Sequence, residues 1–143
     1  MSILVVDASV VIKWFVKETN SVEALQWQAG PDELHAPAIF LDIEIANILW
    51  KKIQRGDLTR AEPDRILTNV PALSLVRHSE SLLLSPALDL ADRYRRSVYD
   101  CIYLALADHL NGQMLTADQR LANALMGTPL ANRVRHVTDS PPP

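Results

Sequence analysis

The sequence predicts an α/β fold: a three-layer α/β/α sandwich in which helices cover both faces of a central parallel sheet. Three observations predict it. The run Ile3-Leu4-Val5-Val6 is unbroken, apolar and rich in β-branched residues, the pattern of a strand buried on both faces. Short strand candidates alternate along the chain with longer helical segments, which implies parallel pairing through crossovers. Two of those candidates lead into an aspartate, Asp7 and Asp118, at the sheet rim where such folds bind ligands.

Taken in order, Ile3 to Val6 is the first strand. Ala8 to Val16 and Ser21 to Gln28 read as helices broken by Glu18-Thr19-Asn20, and Gly30-Pro31-Asp32 ends that unit. Leu34 to Ala36 is a short strand, and Pro37 suits the first turn of a long helix that runs to Arg55 and stops at Gly56. Thr59 to Asn69 is a helix, with Thr59 and Glu62 spaced as a capping box. Leu73 to Val76 is the third strand and Leu82 to Arg95 a helix. Val98 to Leu110 is an almost wholly apolar helix closed by Asn111-Gly112. Met114-Leu115 is a strand, followed by a helix to Met126 that Thr116 caps, and Val134 to Val137 is a last edge strand. No repeat or interdomain linker interrupts this, so residues 1–138 read as one domain and Asp139 to Pro143 as a disordered tail.

A chain of 143 residues with 48% hydrophobic and 22% charged residues supports one real core and excludes a largely disordered protein. A net charge of −3 and a pI of about 5.7 argue against coating nucleic acid by bulk electrostatics. They leave room for a metal site, whose carboxylates are neutralised locally. Cys101 is the single cysteine, set in an apolar run, and reads as a buried thiol in a reducing, cytoplasmic compartment. The N-terminal apolar stretch is too short for a secretory signal or a membrane span.

Four acids stand out. Asp7 is delivered to the rim by a buried strand, although capping the next helix is its ordinary alternative. Glu44 shares a helix face with Asn47 and Lys51; a solvated stripe is the rival, but apolar residues flank that stripe on both sides. Asp100 opens the apolar helix, where Ser97 and Asp100 also fit a capping box. Asp118 repeats, relative to its strand, the position of Asp7. The four histidines show no metal-ligand spacing, and no Gly-rich phosphate loop occurs. Trp14, Trp27 and Trp50 read most simply as core or interface residues, with stacking on a base open to an exposed one. Lys51, Lys52 and Arg55 read as a solvated helix end, while Arg93, Arg95 and Arg96 suit phosphate equally well.

The strings Val5-Val6-Asp7-Ala8-Ser9, Glu44-Ile45-Ala46-Asn47, Tyr99-Asp100-Cys101-Ile102-Tyr103-Leu104-Ala105-Leu106-Ala107 and Leu115-Thr116-Ala117-Asp118 together resemble the PIN domain, and among its members the VapC-type toxins of toxin–antitoxin pairs. The resemblance implies a parallel sheet of five strands and a Mg²⁺- or Mn²⁺-dependent endoribonuclease. It further implies metal ligands at Asp7, Glu44, Asp100 and Asp118 with Ser9, Asn47 and Thr116 in support, a homodimer, and a cognate antitoxin partner. Some members of that family carry a further acid after the position of Asp118; here Gln119, Arg120 and Asn123 follow. Two other readings remain open on the residues alone. One is a phosphohydrolase using Asp7 as nucleophile, with Ser9 where a second acid is usual; the other is a degenerate PIN domain or a doubly wound binding module.

Overall fold

The computed structural model describes residues 2–140. Its centre is β1 (Ile3–Val6), whose Leu4, Val5 and Val6 are buried, as expected of a strand with a neighbour on each side and helices above and below. The other strands are β2 (Glu33–Pro37), β3 (Val76–His78), β4 (Gln113–Thr116) and β5 (Val134–His136), in the order β3-β2-β1-β4-β5. Every pairing is parallel, with Val5 opposite His35 on one side and Met114 on the other. From β1 the chain works outward through β2 to β3, then returns across the sheet to β4 and β5. The switch point therefore falls between β1 and β4, and the crevice outside their carboxyl ends is where this class of sheet places its ligands.

The helices are α1 (Ala8–Phe15), α2 (Ser21–Ala29), α3 (Phe40–Gln54), α4 (Ala61–Asn69), α5 (Leu84–Tyr94), α6 (Val98–His109) and α7 (Gln119–Leu125). α6 is buried without interruption from Cys101 to Ala107 and packs against β1, β2 and β4, which explains why its sequence is apolar all round. At its end Asn111 adopts φ 52°, and Gly112 turns the chain against β1: a Cβ there would stand 2.5 Å from the Ile3 carbonyl oxygen. Trp27 is buried and donates to the Val137 carbonyl at 2.9 Å, Trp14 donates to the Ala24 carbonyl at 2.9 Å, and Trp50 is exposed. Buried His35 is satisfied within a chain from Glu33 (2.5 Å) to His78 (2.7 Å), a structural use of histidine. Cys101 is buried, and its thiol is pushed up to about 11 by that burial.

Several boundaries differ from the sequence expectation. Pro37 ends β2 rather than opening the long helix, which starts at Phe40. The third strand is Val76–His78 rather than 73–76, because it pairs through the polar Arg77 and His78; Arg77 ties it to α3 through Asp42 at 2.9 Å. The Glu62 half of the expected capping box is made, to the Thr59 amide at 3.0 Å, but the helix begins later, at Ala61. Leu82 closes a 3₁₀ turn (Glu80–Leu82) ahead of α5. Thr116 does not cap the helix that follows it; Asp118 does. Asp139 accepts from the His136 amide at 3.0 Å and the Ser140 carbonyl from Arg135 at 2.9 Å, so these two residues fold back on β5. Residues 141–143 of the expected tail lie outside the described residues. Among the described residues no helix is long and apolar enough to cross a membrane.

Candidate active site

Asp7 directly follows β1 and is at once the N-cap of α1. Its amide still reaches the Leu115 carbonyl across to β4 at 3.3 Å, while its Oδ1 accepts from the Val10 amide at 3.2 Å. The cap and the candidate ligand are therefore the same side chain. Ser9 donates to Oδ1 and Thr116, the last residue of β4, donates to Oδ2, each at 2.5 Å. Ser9 also accepts the Ala117 amide at 3.0 Å, so the two strand ends are laced together around one carboxylate. With 6% of its surface exposed, Asp7 has its pKa raised from 3.8 to about 6. Burial is the main cause and the charge of Asp100 adds to it; the two hydroxyls and the Val10 amide resist it.

Glu44 comes from the half-buried face of α3, and its pKa is raised to about 7, first by burial and then by repulsion from Asp7 and Asp100. Tyr103, one turn along α6 from Asp100, donates its hydroxyl to Glu44 Oε1 at 2.5 Å. The Tyr103 hydroxyl is itself held well above its ordinary pKa by burial and by these carboxylates, so it remains a donor. Phe40 packs against the Tyr103 ring, with centroids 5.6 Å apart.

Asp100 sits in the first turn of α6, whose N-cap Ser97 accepts the Asp100 amide at 3.1 Å. Its pKa is raised by burial and by the charge of Asp118, against the pull of Arg96, whose guanidinium stands 3.9 Å away. Arg96 Nε is buried with no partner among the described residues. Asp118 caps α7, accepting from the amides of Arg120 (3.0 Å) and Leu121 (3.2 Å), and its own amide donates to Thr116 Oγ1 at 3.1 Å.

Three of the four acids that stand out in the sequence, Asp7, Glu44 and Asp100, thus act on one another electrostatically, and the fourth, Asp118, acts on Asp100. Among the described residues no three His, Cys, Asp or Glu side chains are grouped tightly enough to hold an ion as they stand. Ser9 and Thr116 hold Asp7, whereas Asn47 is exposed and has no side-chain hydrogen bond among the described residues. Tyr103 is a site residue that the sequence does not single out. Its one sequence signal is its spacing, three residues after Asp100 and so on the same helix face.

Comparison with known proteins bears on the family and the fold. The pattern that defines the PIN domain matches residues 4–124. Ribonuclease VapC3 of Pyrobaculum aerophilum is 37% identical over 124 residues, which are 83% of this chain and 92% of that protein. Ribonuclease VapC3 of Mycobacterium tuberculosis is 32% identical over 85% of this chain and 86% of its own length. The crystal structure of another Pyrobaculum aerophilum protein superposes with a TM-score of 0.66 at 20% identity, covering 95% of this chain and 84% of that one. A chain described as a toxin–antitoxin complex from Klebsiella pneumoniae gives 0.60 at 17% identity, covering 96% and 99%. The extent of the sequence match and the five-stranded parallel sheet together show that this chain belongs to the PIN-domain family, among its VapC-type members.

Proposed function

We propose that this chain is a divalent-metal-dependent endoribonuclease, the toxin of a toxin–antitoxin pair. The observation that carries the reading is the convergence of Asp7, Glu44 and Asp100, from β1, α3 and α6, at the β1–β4 switch point. Its relatives' printed names, ribonucleases, support RNA as the substrate. The donor set is all oxygen, which suits Mg²⁺ or Mn²⁺. Carboxylates whose pKa values are raised by burial and mutual repulsion are the ones a dication favours in charged form. Asp7, Glu44, Asp100 and Asp118 would hold the ion, and their side chains, which repel one another without it, would have to draw together to do so. When bound, such an ion makes a coordinated water acidic and offsets charge on a phosphodiester.

The chain's own residues do the positioning. Ser9 and Thr116 fix the Asp7 carboxylate, and Tyr103 fixes that of Glu44. Arg96 supplies a cation at Asp100, and its partly exposed guanidinium is the group available to a phosphate oxygen. In the overall reaction water adds to phosphorus, the bond to the 3′ oxygen breaks, and that oxygen leaves with a proton, giving a 5′-phosphate and a 3′-hydroxyl. A cytoplasmic site of action suits an RNA substrate and the lone buried thiol of Cys101.

A homodimer and a cognate antitoxin complete the proposal. Ile39, Ile43, Leu82 and Tyr99 are large apolar residues left exposed around the start of α3. They share one region, because Glu80 accepts the Ile39 and Phe40 amides and Phe40 stacks on Tyr99 at 5.8 Å. Such a patch is a protein-contact surface. The test of the enzyme is cleavage of an end-labelled single-stranded RNA. Activity is expected with Mn²⁺ or Mg²⁺ and absent in EDTA, with Asp7→Asn and Asp100→Asn each losing at least about a hundredfold. Full activity in EDTA, or in either variant, overturns the proposal.

A further inference from the structure

A cleft of about 240 Å³ opens directly beside the carboxylates, with Ser9 and Ala117 forming its wall on the site side. Ser9 is the same residue that donates to Asp7, so the cleft adjoins the acids through this one side chain. Four cations line it: Lys13 from α1, and Lys51, Lys52 and Arg55 from the end of α3. One carboxylate, Glu18, faces them and takes both Lys13 (3.0 Å) and Lys52 (2.5 Å). Among the described residues Lys51 and Arg55 have no ion-pair partner and are exposed.

Cations near a helix C-terminus are ordinarily explained by the macrodipole. That explanation covers Lys13 in the last turn of α1 as well as Lys51 and Lys52, but not the meeting of two helix ends on one cleft, nor the seating of Lys13 and Lys52 as a fixed pair on Glu18. It also leaves unexplained why a chain of net charge −3 gathers four cations against one acid at the mouth of its anionic site. On α3, Glu44, Ile48, Lys51 and Arg55 follow one another at helical spacing, so a single stripe runs from a carboxylate of the site to the free cations. Lys51 lies about 10 Å and Arg55 about 16 Å along the axis from Glu44.

We infer that this cleft is the phosphate track of the substrate: Lys51 and Arg55 hold backbone phosphates of a single RNA strand to one side of the cut, while the Glu18-anchored Lys13 and Lys52 give the cleft floor its fixed positive charge. The inference takes its substrate from the ribonuclease reading. It resolves how an acidic protein engages a polyanion, with attraction confined to a short track that leads to the carboxylates. It also places binding determinants outside the four acids.

The test is binding of a fluorescent single-stranded RNA oligonucleotide to the full chain in EDTA across a KCl series, which reads the track without cleavage. Lys51→Ala/Arg55→Ala is expected to weaken binding about tenfold and to flatten the slope of log affinity against log salt by about 1.4, at about 0.7 for each phosphate no longer neutralised. Arg60→Ala/Arg65→Ala on α4 and its N-terminal flank removes the same charge away from the cleft and is expected to leave both unchanged. Equal behaviour of the two double variants, or no RNA binding by the wild type, overturns the inference. Selective weakening in the Lys51/Arg55 variant, together with a wild type that no Mn²⁺ concentration makes cleave, supports the track and sinks the ribonuclease reading instead.

Discussion

Asp7 concentrates the tension in this molecule: a carboxylate almost fully buried, hydrogen-bonded on both oxygens, and still pushed up to about 6. A folded-state pKa above the unfolded one has a definite sign. Below about pH 4 both states hold the proton and the group is neutral to stability. From there to about pH 6 only the folded state keeps it, so stability falls as pH rises, and above pH 6 the full loss, about 3 kcal/mol, remains. Glu44, raised to about 7, extends the decline upward. In urea unfolding without metal, the advantage of Asp7→Asn over wild type is therefore expected to grow between about pH 4 and 6 and to hold level at about 7.5; an advantage that shrinks over that range disproves this. Tyr103→Phe removes the donor to Glu44, so the Glu44 titration, followed by carboxyl NMR, is expected to move further upward. A downward move would show that the hydroxyl does not favour the charged form.

At the scale of elements, the site depends on β1, β4 and α6 being locked in register. Gly112 is the tightest point of that lock, since an added Cβ meets backbone of Ile3. Gly112→Ala is expected to cost about 2–3 kcal/mol in urea unfolding by forcing β4 away from β1; a cost under about 0.5 kcal/mol would mean that Ile3 gives way freely. How much of this is legible in the sequence follows from which interactions are local. β1 and α6 announce themselves by apolar runs, and Asp7, Asp100 and Asp118 by standing at the ends of such runs. β3 is displaced from its sequence-predicted place because the apolar Leu73-Ser74-Leu75-Val76 mimics a strand, while the true one pairs through Arg77 and His78, whose partners Asp42 and His35 lie far away in sequence. Pro37 fits a local rule for helix starts that its place as the last residue of β2 overrides. Tyr103 is marked in the sequence only by its spacing from Asp100, because its partner, Glu44, is 59 residues away. The basic cluster Lys51, Lys52 and Arg55 is visible, but the cleft is not, because Lys13 comes from a different helix and only the fold brings them together.

Over the whole molecule, two surfaces flank the acids: the basic cleft at the end of α3, and the apolar region at its beginning, where Ile39, Ile43, Leu82 and Tyr99 are exposed. If that region is the homodimer interface, Leu82→Glu/Tyr99→Glu is expected to halve the mass measured by light scattering, and an unchanged mass would place the interface elsewhere. Beneath both surfaces lies one physical proposition: acids from β1, α3 and α6 form a single pocket whose charge is unbalanced without a dication. The decisive measurement is thermal unfolding at about pH 7.5, with EDTA and with excess Mn²⁺, for wild type and Asp7→Asn. Mn²⁺ is expected to raise the wild-type midpoint by several degrees, whereas the variant starts higher in EDTA and gains little from the ion. Equal responses of the two proteins, or a variant that starts lower, would refute the proposition.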